Sequence, residues 1–249
     1  PGVKSDLEEA FSWQIDFRPT IVLVSERERF GQMAGNPLFV AYAVPKEQLI
    51  VIDHTRMNIH PFTLRITLKH ELCHLLLHRY IPSGRLPKWF DEGVAQWISD
   101  GISEILVQNG NRELQWASIT GRFLSFSSLT TWFPNDDKGL RLAYEQSRSI
   151  VEYIVENYGK NGLHNILQAL KNGLAFPEAI ETALMIPPKD LEMRWRAEQR
   201  SWLVLFSYLS GHLYTILFVL GAIILLAAYV RILIRKRRLE DEEDISPYM

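Results

Sequence analysis

From Leu203 to Val230 the chain reads "LVLFSYLSGHLYTILFVLGAIILLAAYV", without one Asp, Glu, Lys or Arg. A helix of that length rises about 40 Å, enough to cross a hydrocarbon core of about 30 Å with some tilt. It is apolar on every side, which a buried helix of a globular core has no need to be over such a length. Trp202 and Tyr229 stand near its ends, where amphipathic rings favour the membrane interface. The stretch predicts one span through a lipid bilayer over 203–230. It divides the 249-residue chain into a domain at 1–200, the span, and a short charged tail at 231–249.

The tail packs Arg231, Arg235, Lys236, Arg237 and Arg238 directly against the span, whereas Lys189, Arg194, Arg196 and Arg200 are more dispersed on the other side. That difference in density predicts a cytoplasmic tail and an extracytoplasmic domain. The opposite orientation would make a tail-anchored cytosolic protein and would require the Arg cluster to be translocated. A formal net charge of −2 gives no broad basic surface, so nucleic acid is not an expected partner. The single cysteine, Cys73, excludes an internal disulfide. The chain opens on Pro-Gly instead of methionine, which reads as a trimmed N-terminus.

Residues 1–200 read as mixed α and β. "TIVLVS" (20–25) is a short apolar, β-branched strand, and the charged "ERERFGQMAG" after it suits a helix ending at a glycine. "LFVAYAV" (38–44) and "QLIVID" (48–53) predict two further strands joined around Pro45. From Pro61 to about His78, Leu64, Leu68, Leu72, Leu75 and Leu76 recur at helical spacing, and "IPSGRLP" then breaks the chain. Helices follow in "KWFDEGVAQWIS", in "GLRLAYEQSRSIVEYIVENYG" with Gly159 as its stop, and in 162–171 and 177–185. Strands early and helices late predict an α+β domain.

Within the first long helix lies "HELCH". His70 and His74 are four residues apart, so their imidazoles lie about 6 Å apart along one face and can meet one ion. Glu71 is placed to reach a water on that ion. Such a pair supplies two of the three protein ligands that zinc takes when a position stays open for chemistry. His78 lies about 12 Å from His70 on the same helix, too far to be the third, and is expected at the helix C-terminus as a supporting or surface group. The "LPKWFDEGVAQW" stretch offers a carboxylate from a second, antiparallel helix, with Gly93 and Ala95 small enough for close approach. On charge alone Asp91 and Glu92 are equal choices.

"HELCH" followed by "LPKWFDEGVAQW" resembles the gluzincin metallopeptidases of the peptidase MA-like superfamily, in particular small membrane-anchored bacterial domains. The weaker similarity extends from "TIVLVSERERF" to "AFPEAIETALMIPPKDLEMRWRA", so it covers most of 18–198. The resemblance implies a zincin-like fold: a small N-terminal sheet, an active-site helix and a helical C-terminal part. It implies one Zn²⁺ per chain on His70, His74 and Glu92, which selects Glu92 over Asp91. It further implies Glu71 as general base on a zinc-activated water, and a peptide or protein substrate.

Other roles implied by the resemblance are less direct. "AYEQS" resembles a diverged Tyr-x-Lys-Gly stretch, making Tyr144 the donor to the developing oxyanion, with Tyr153 or His164 as substitutes and Gln146 and Ser147 as departures. An aspartate that orients a zinc histidine in thermolysin-like relatives is replaced here by Gln96, leaving Asp91 or Asp53 to do so. Cys73 reads as a small packing residue. "LIVID" resembles the edge strand that pairs with an extended peptide in such enzymes. No Gly-x-Met-Glu-Asn-like stretch precedes His70, which favours an endopeptidase over an aminopeptidase. A catalytically silent tethered binding domain is the alternative from another class. Gly211, Gly221 and Ala222 form no GxxxG pair, so the span argues for no oligomeric state.

Overall fold

The computed structural model describes residues 2–57, 59–101, 111–200 and 210–245, with 236–245 by backbone alone. It forms two compact units, Pro1–Arg200 and Ser201–Met249.

The first unit opens with α1 (Val3–Phe11), then β1 (Thr20–Val24), α2 (Arg27–Ala34), β2 (Ala41–Val44) and β3 (Leu49–Asp53). Helix α2 stops at Gly35, whose φ of 71° is left-handed, a conformation that glycine adopts without strain. The three strands make one sheet in the order β1-β3-β2. β1 runs parallel to β3, and β2 is antiparallel to it. The "LIVID" strand is therefore central, with both sides taken by neighbours. The edge-strand reading is corrected, and the edges belong to β1 and β2. Ile50 and Ile52 face the main core from one side of β3, and Val51 packs with Val24 and Phe30 under α2 on the other. Arg27 bridges the buried Asp53 carboxylate (2.6 Å) and the carbonyls of Pro37 and Phe39, tying α2 to the sheet.

Helices follow among the described residues: α3 (Leu64–Tyr80), α4 (Lys88–Ile98), α5 (Arg112–Thr120), α6 (Asp137–Lys171), α7 (Phe176–Leu184) and α8 (Pro188–Gln199). Thr63 caps α3 by accepting the Ile66 N–H. α3 is covered by the sheet on one side and by α4 on the other, so Glu71 through Leu77 are all buried. α4 begins after Pro87, and the carbonyls of Thr130 and Leu129 accept the N–H groups of Lys88 and Trp89.

α6 packs along α4 and α7. A Cβ on Gly93 would collide with the Ser147 carbonyl and the Val151 side chain, so glycine is what lets α4 and α6 approach at that point. Gly159 takes φ 72°, breaking the helix as expected, but the chain re-enters helical geometry at once. α1, α5 and α8 are helices that the pattern of apolar residues did not announce. α8 is pinned where the Trp195 indole N–H donates to Ser149 Oγ.

The second unit contains α9 (Leu213–Ile245). Its stretch Leu213–Arg235 is long and apolar enough to cross a membrane. Relative to the expected 203–230, the start at 203–209 lies outside the described residues, and the end moves outward because Ile232, Leu233 and Ile234 continue the apolar run. Arg231 and Arg235 can extend their long stems toward headgroups from such positions.

Candidate functional site

His70 and His74 stand one turn apart on α3, and Glu92 faces them from α4. All three are buried. The two Nε2 atoms are 3.2 Å apart, and Glu92 Oε2 is 3.9 Å from His70 Nε2 and 3.7 Å from His74 Nε2. Three donors on a tetrahedral zinc, at bonds of about 2.0–2.2 Å, would be separated by about 3.3–3.6 Å. The three separations bracket that range, one 0.1 Å below it and two up to 0.3 Å above it, and these side chains form a group able to hold one metal ion.

The hydrogen bonds behind the imidazoles set which nitrogen faces inward. His74 Nδ1 lies 2.7 Å from Asp91 Oδ1, an acceptor, so Nδ1 carries the proton. His70 Nδ1 lies 3.2 Å from Ser99 Oγ, whose own hydroxyl is directed at the Ala95 carbonyl at 2.7 Å. Ser99 thus accepts from His70, and Nδ1 is again the protonated nitrogen. Both Nε2 lone pairs then converge on one point beside a carboxylate. Two bare lone pairs at 3.2 Å would repel; a proton on one Nε2 donated to the other, or a metal ion bound by both, relieves this.

Electrostatics agree with a cation-seeking site. Burial alone would lower the His74 pKa, yet the Asp91 and Glu92 carboxylates outweigh it and raise the imidazolium well above its ordinary range. Burial likewise works to raise Asp91, but His74 and His78 hold that carboxyl well below the usual carboxylate range. His78 Nε2 is 2.7 Å from Asp91 Oδ2, so Asp91 joins the two histidines. His78 is half exposed at the end of α3, in the supporting place expected of it.

Of the other residues singled out in the sequence, Glu71 is fully buried beside His70. Tyr144 is fully buried on α6. Its ring meets Phe133 edge-on at 5.2 Å, and its carbonyl accepts from Gln96 Nε2. Gln96 donates from its amide to the carbonyls of Glu92 and Tyr144. Gln146 clasps the Leu124 backbone through both its amide atoms. Asp53 serves Arg27 and Thr55 instead of a histidine. Tyr153 packs near Tyr158, and His164 lies against Gln168. Cys73 is buried, and burial pushes its thiol well up, as suits a packing residue.

Ser99 was missed by sequence reasoning. A signal existed, since Ser99 lies seven residues after Glu92 and hence on nearly the same face of α4. A groove of about 580 Å³ opens beside Glu92 and Asp91, walled by Leu86, Pro87, Thr130, Phe176 and Pro177.

A family model described as the Peptidase MA superfamily matches residues 39–201, a stretch that contains α3, α4 and all of these donors. No curated protein matches the chain.

Proposed function

The chain belongs to the Peptidase MA superfamily, and from that premise we propose that it is a membrane-anchored zinc metallopeptidase that cuts peptide bonds internally. The observation that carries this reading is the convergence of two Nε2 lone pairs and a carboxylate, each imidazole locked by its own hydrogen bond.

His70, His74 and Glu92 would hold the metal. Bound there, zinc would supply Lewis acidity, lowering the pKa of a water and polarising a carbonyl. Glu71, adjacent to His70 and one turn before His74, accepts the proton of the attacking water and returns it to the leaving amine. Its burial keeps bulk water from competing for that proton. Asp91 and Ser99 keep both imidazoles in the tautomer that directs Nε2 inward. Tyr144, on the part of α6 that Gln96 ties to α4, is the proposed donor to the oxyanion. The apolar helix α9 tethers the domain to the bilayer, and the basic cluster after it favours a cytoplasmic tail.

The full chain in detergent micelles, supplied with zinc, is incubated with long and short peptides, and the products are read by mass spectrometry. Internal cuts that vanish with Glu71→Gln are the expected result. Residues trimmed singly from amino ends would make it an aminopeptidase. Zinc bound in stoichiometric amount with no cleavage of any peptide would favour a silent binding domain.

A further inference from the structure

β1 is an edge strand that the fold leaves open. Its residues Ile21, Val22 and Leu23 are 43%, 37% and 45% exposed, three large apolar side chains in a row. The register with β3 sets Ile21 beside Ile50 and Leu23 beside Ile52. Ile50 and Ile52 are fully buried, because α3 packs over β2 and β3. Ile21 and Leu23 thus continue the core face of the sheet beyond the cover that α3 provides. No strand flanks the outer side of β1 among the described residues. Nor does β1 carry any of the devices that blunt an edge: it has no internal charge and no internal proline.

We propose that β1 is the pairing edge for β1 of a second copy of this chain, antiparallel about Val22. Thr20 N–H donates inward to the Gln48 carbonyl, so the backbone groups of Thr20, Val22 and Val24 face β3. Those of Ile21 and Leu23 face outward. Pairing about Val22 sets Ile21 opposite Leu23 of the second copy and Leu23 opposite its Ile21, and each pair exchanges both backbone bonds. The four apolar side chains lie on one face and cover one another.

Charge selects the same register. Arg18 falls opposite Glu26 of the second copy, and Glu26 opposite its Arg18. Both are exposed, and neither makes an ion pair among the described residues. Glu26 is extended (φ −122°, ψ 116°), and Arg18 precedes a proline, which favours extension, so both continue the line of the strand. A shift that sets Ile21 against Ile21 would put Leu23 opposite Pro19, which has no N–H to give. A shift that sets Leu23 against Leu23 would move Arg18 opposite Glu28, inside α2. Opposite charges at the two ends of an uncharged strand suit a copy of itself better than a lipid surface, which would want one sign.

The test uses the full chain in micelles with Val22→Cys. Native Cys73 is buried and does not contribute. Mild oxidation is expected to give a disulfide-linked dimer from Val22→Cys, whereas Ser25→Cys, far from its own mate in this register, stays monomeric. Adding Arg18→Glu to Val22→Cys should lower the dimer yield about tenfold, and adding Glu26→Arg as well should restore it. Because Arg18 and Glu26 are exposed, unchanged helical circular dichroism checks that each variant is folded. Equal linkage through Val22→Cys and Ser25→Cys, or indifference to the charge swap, would overturn the proposal. So would a Val22→Cys chain that stays monomeric under oxidation. If its introduced thiol also resists a thiol reagent, another segment covers the strand.

Discussion

The two histidines of the site are held by partners of different kinds. His74 gives its Nδ1 proton to Asp91, a buried carboxylate that His78 grips from the other side. His70 gives its own to Ser99, a neutral hydroxyl whose hydrogen is committed to Ala95. Behind the Nδ1 atoms, His74 meets a carboxylate and His70 a hydroxyl. A charged partner makes an imidazole a better ligand and favours cation binding, whereas a hydroxyl chiefly sets orientation. In the proposed metal site, His74 would therefore be the histidine that attracts the ion, and His70 the one that shapes the site.

The strongest way to break that comparison is to remove the group both histidines face. Glu92→Ala should drop zinc content from one per chain to near zero, measured by atomic emission after dialysis, and cleavage with it. Next, Asp91→Ala should weaken zinc binding by about 10–100-fold in competition with a chelator. Ser99→Ala should weaken it by clearly less, about tenfold at most. Equal losses from the two variants would mean that orientation alone matters and that the charge on the His74 side is incidental.

Gly93→Ala tests how the acid is brought to the histidines. The added methyl meets the Ser147 carbonyl and Val151, so α4 and α6 must part. A loss of about 1–3 kcal/mol in denaturant unfolding is expected, with weaker zinc binding in the folded protein.

The smallest effect contrasts Asp91 with a second buried carboxylate. Glu145 accepts the Leu114 N–H at 2.7 Å, at the start of α5. Burial raises its carboxyl to about 7. Glu113 adds to the rise, while the backbone hydrogen bonds and Arg141 work against it. The folded state holds this proton more tightly than the unfolded chain does. Its stabilising contribution is therefore complete below the unfolded value and is lost as pH rises through about 7. Thermal midpoints should fall across that window in the wild type and flatten in Glu145→Gln, which keeps an acceptor for Leu114. Asp91, clamped by two imidazoles, should give no such slope there.

Much of this was legible in the sequence because it is written in local spacing. The i, i+4 histidines, the Pro/Gly turn and the small residues after Glu92 each reflect one helix or one junction, and α3 and α4 follow directly. Position in the sheet is different, since nothing inside "LIVID" records that β1 and β2 flank it. The same limit applies to Asp91. Its charge made it a rival ligand; the resemblance selected Glu92 over it, and the packing of α3 against α4 turns Asp91 toward Nδ1 of His74. Ser99 was hidden because a serine at a helix end has many ordinary uses. α1, α5 and α8 escaped because short helices with charged faces show few apolar repeats and gain their stability from docking.

The most direct test of the central claim is zinc K-edge absorption on the full chain loaded with one equivalent of zinc. The account predicts two imidazole nitrogens and oxygen at about 2.0–2.2 Å, with no sulfur, and loss of that imidazole signature in a His70→Ala, His74→Ala double variant. A folded chain that retains no zinc, or a zinc whose shell lacks imidazole, would contradict it.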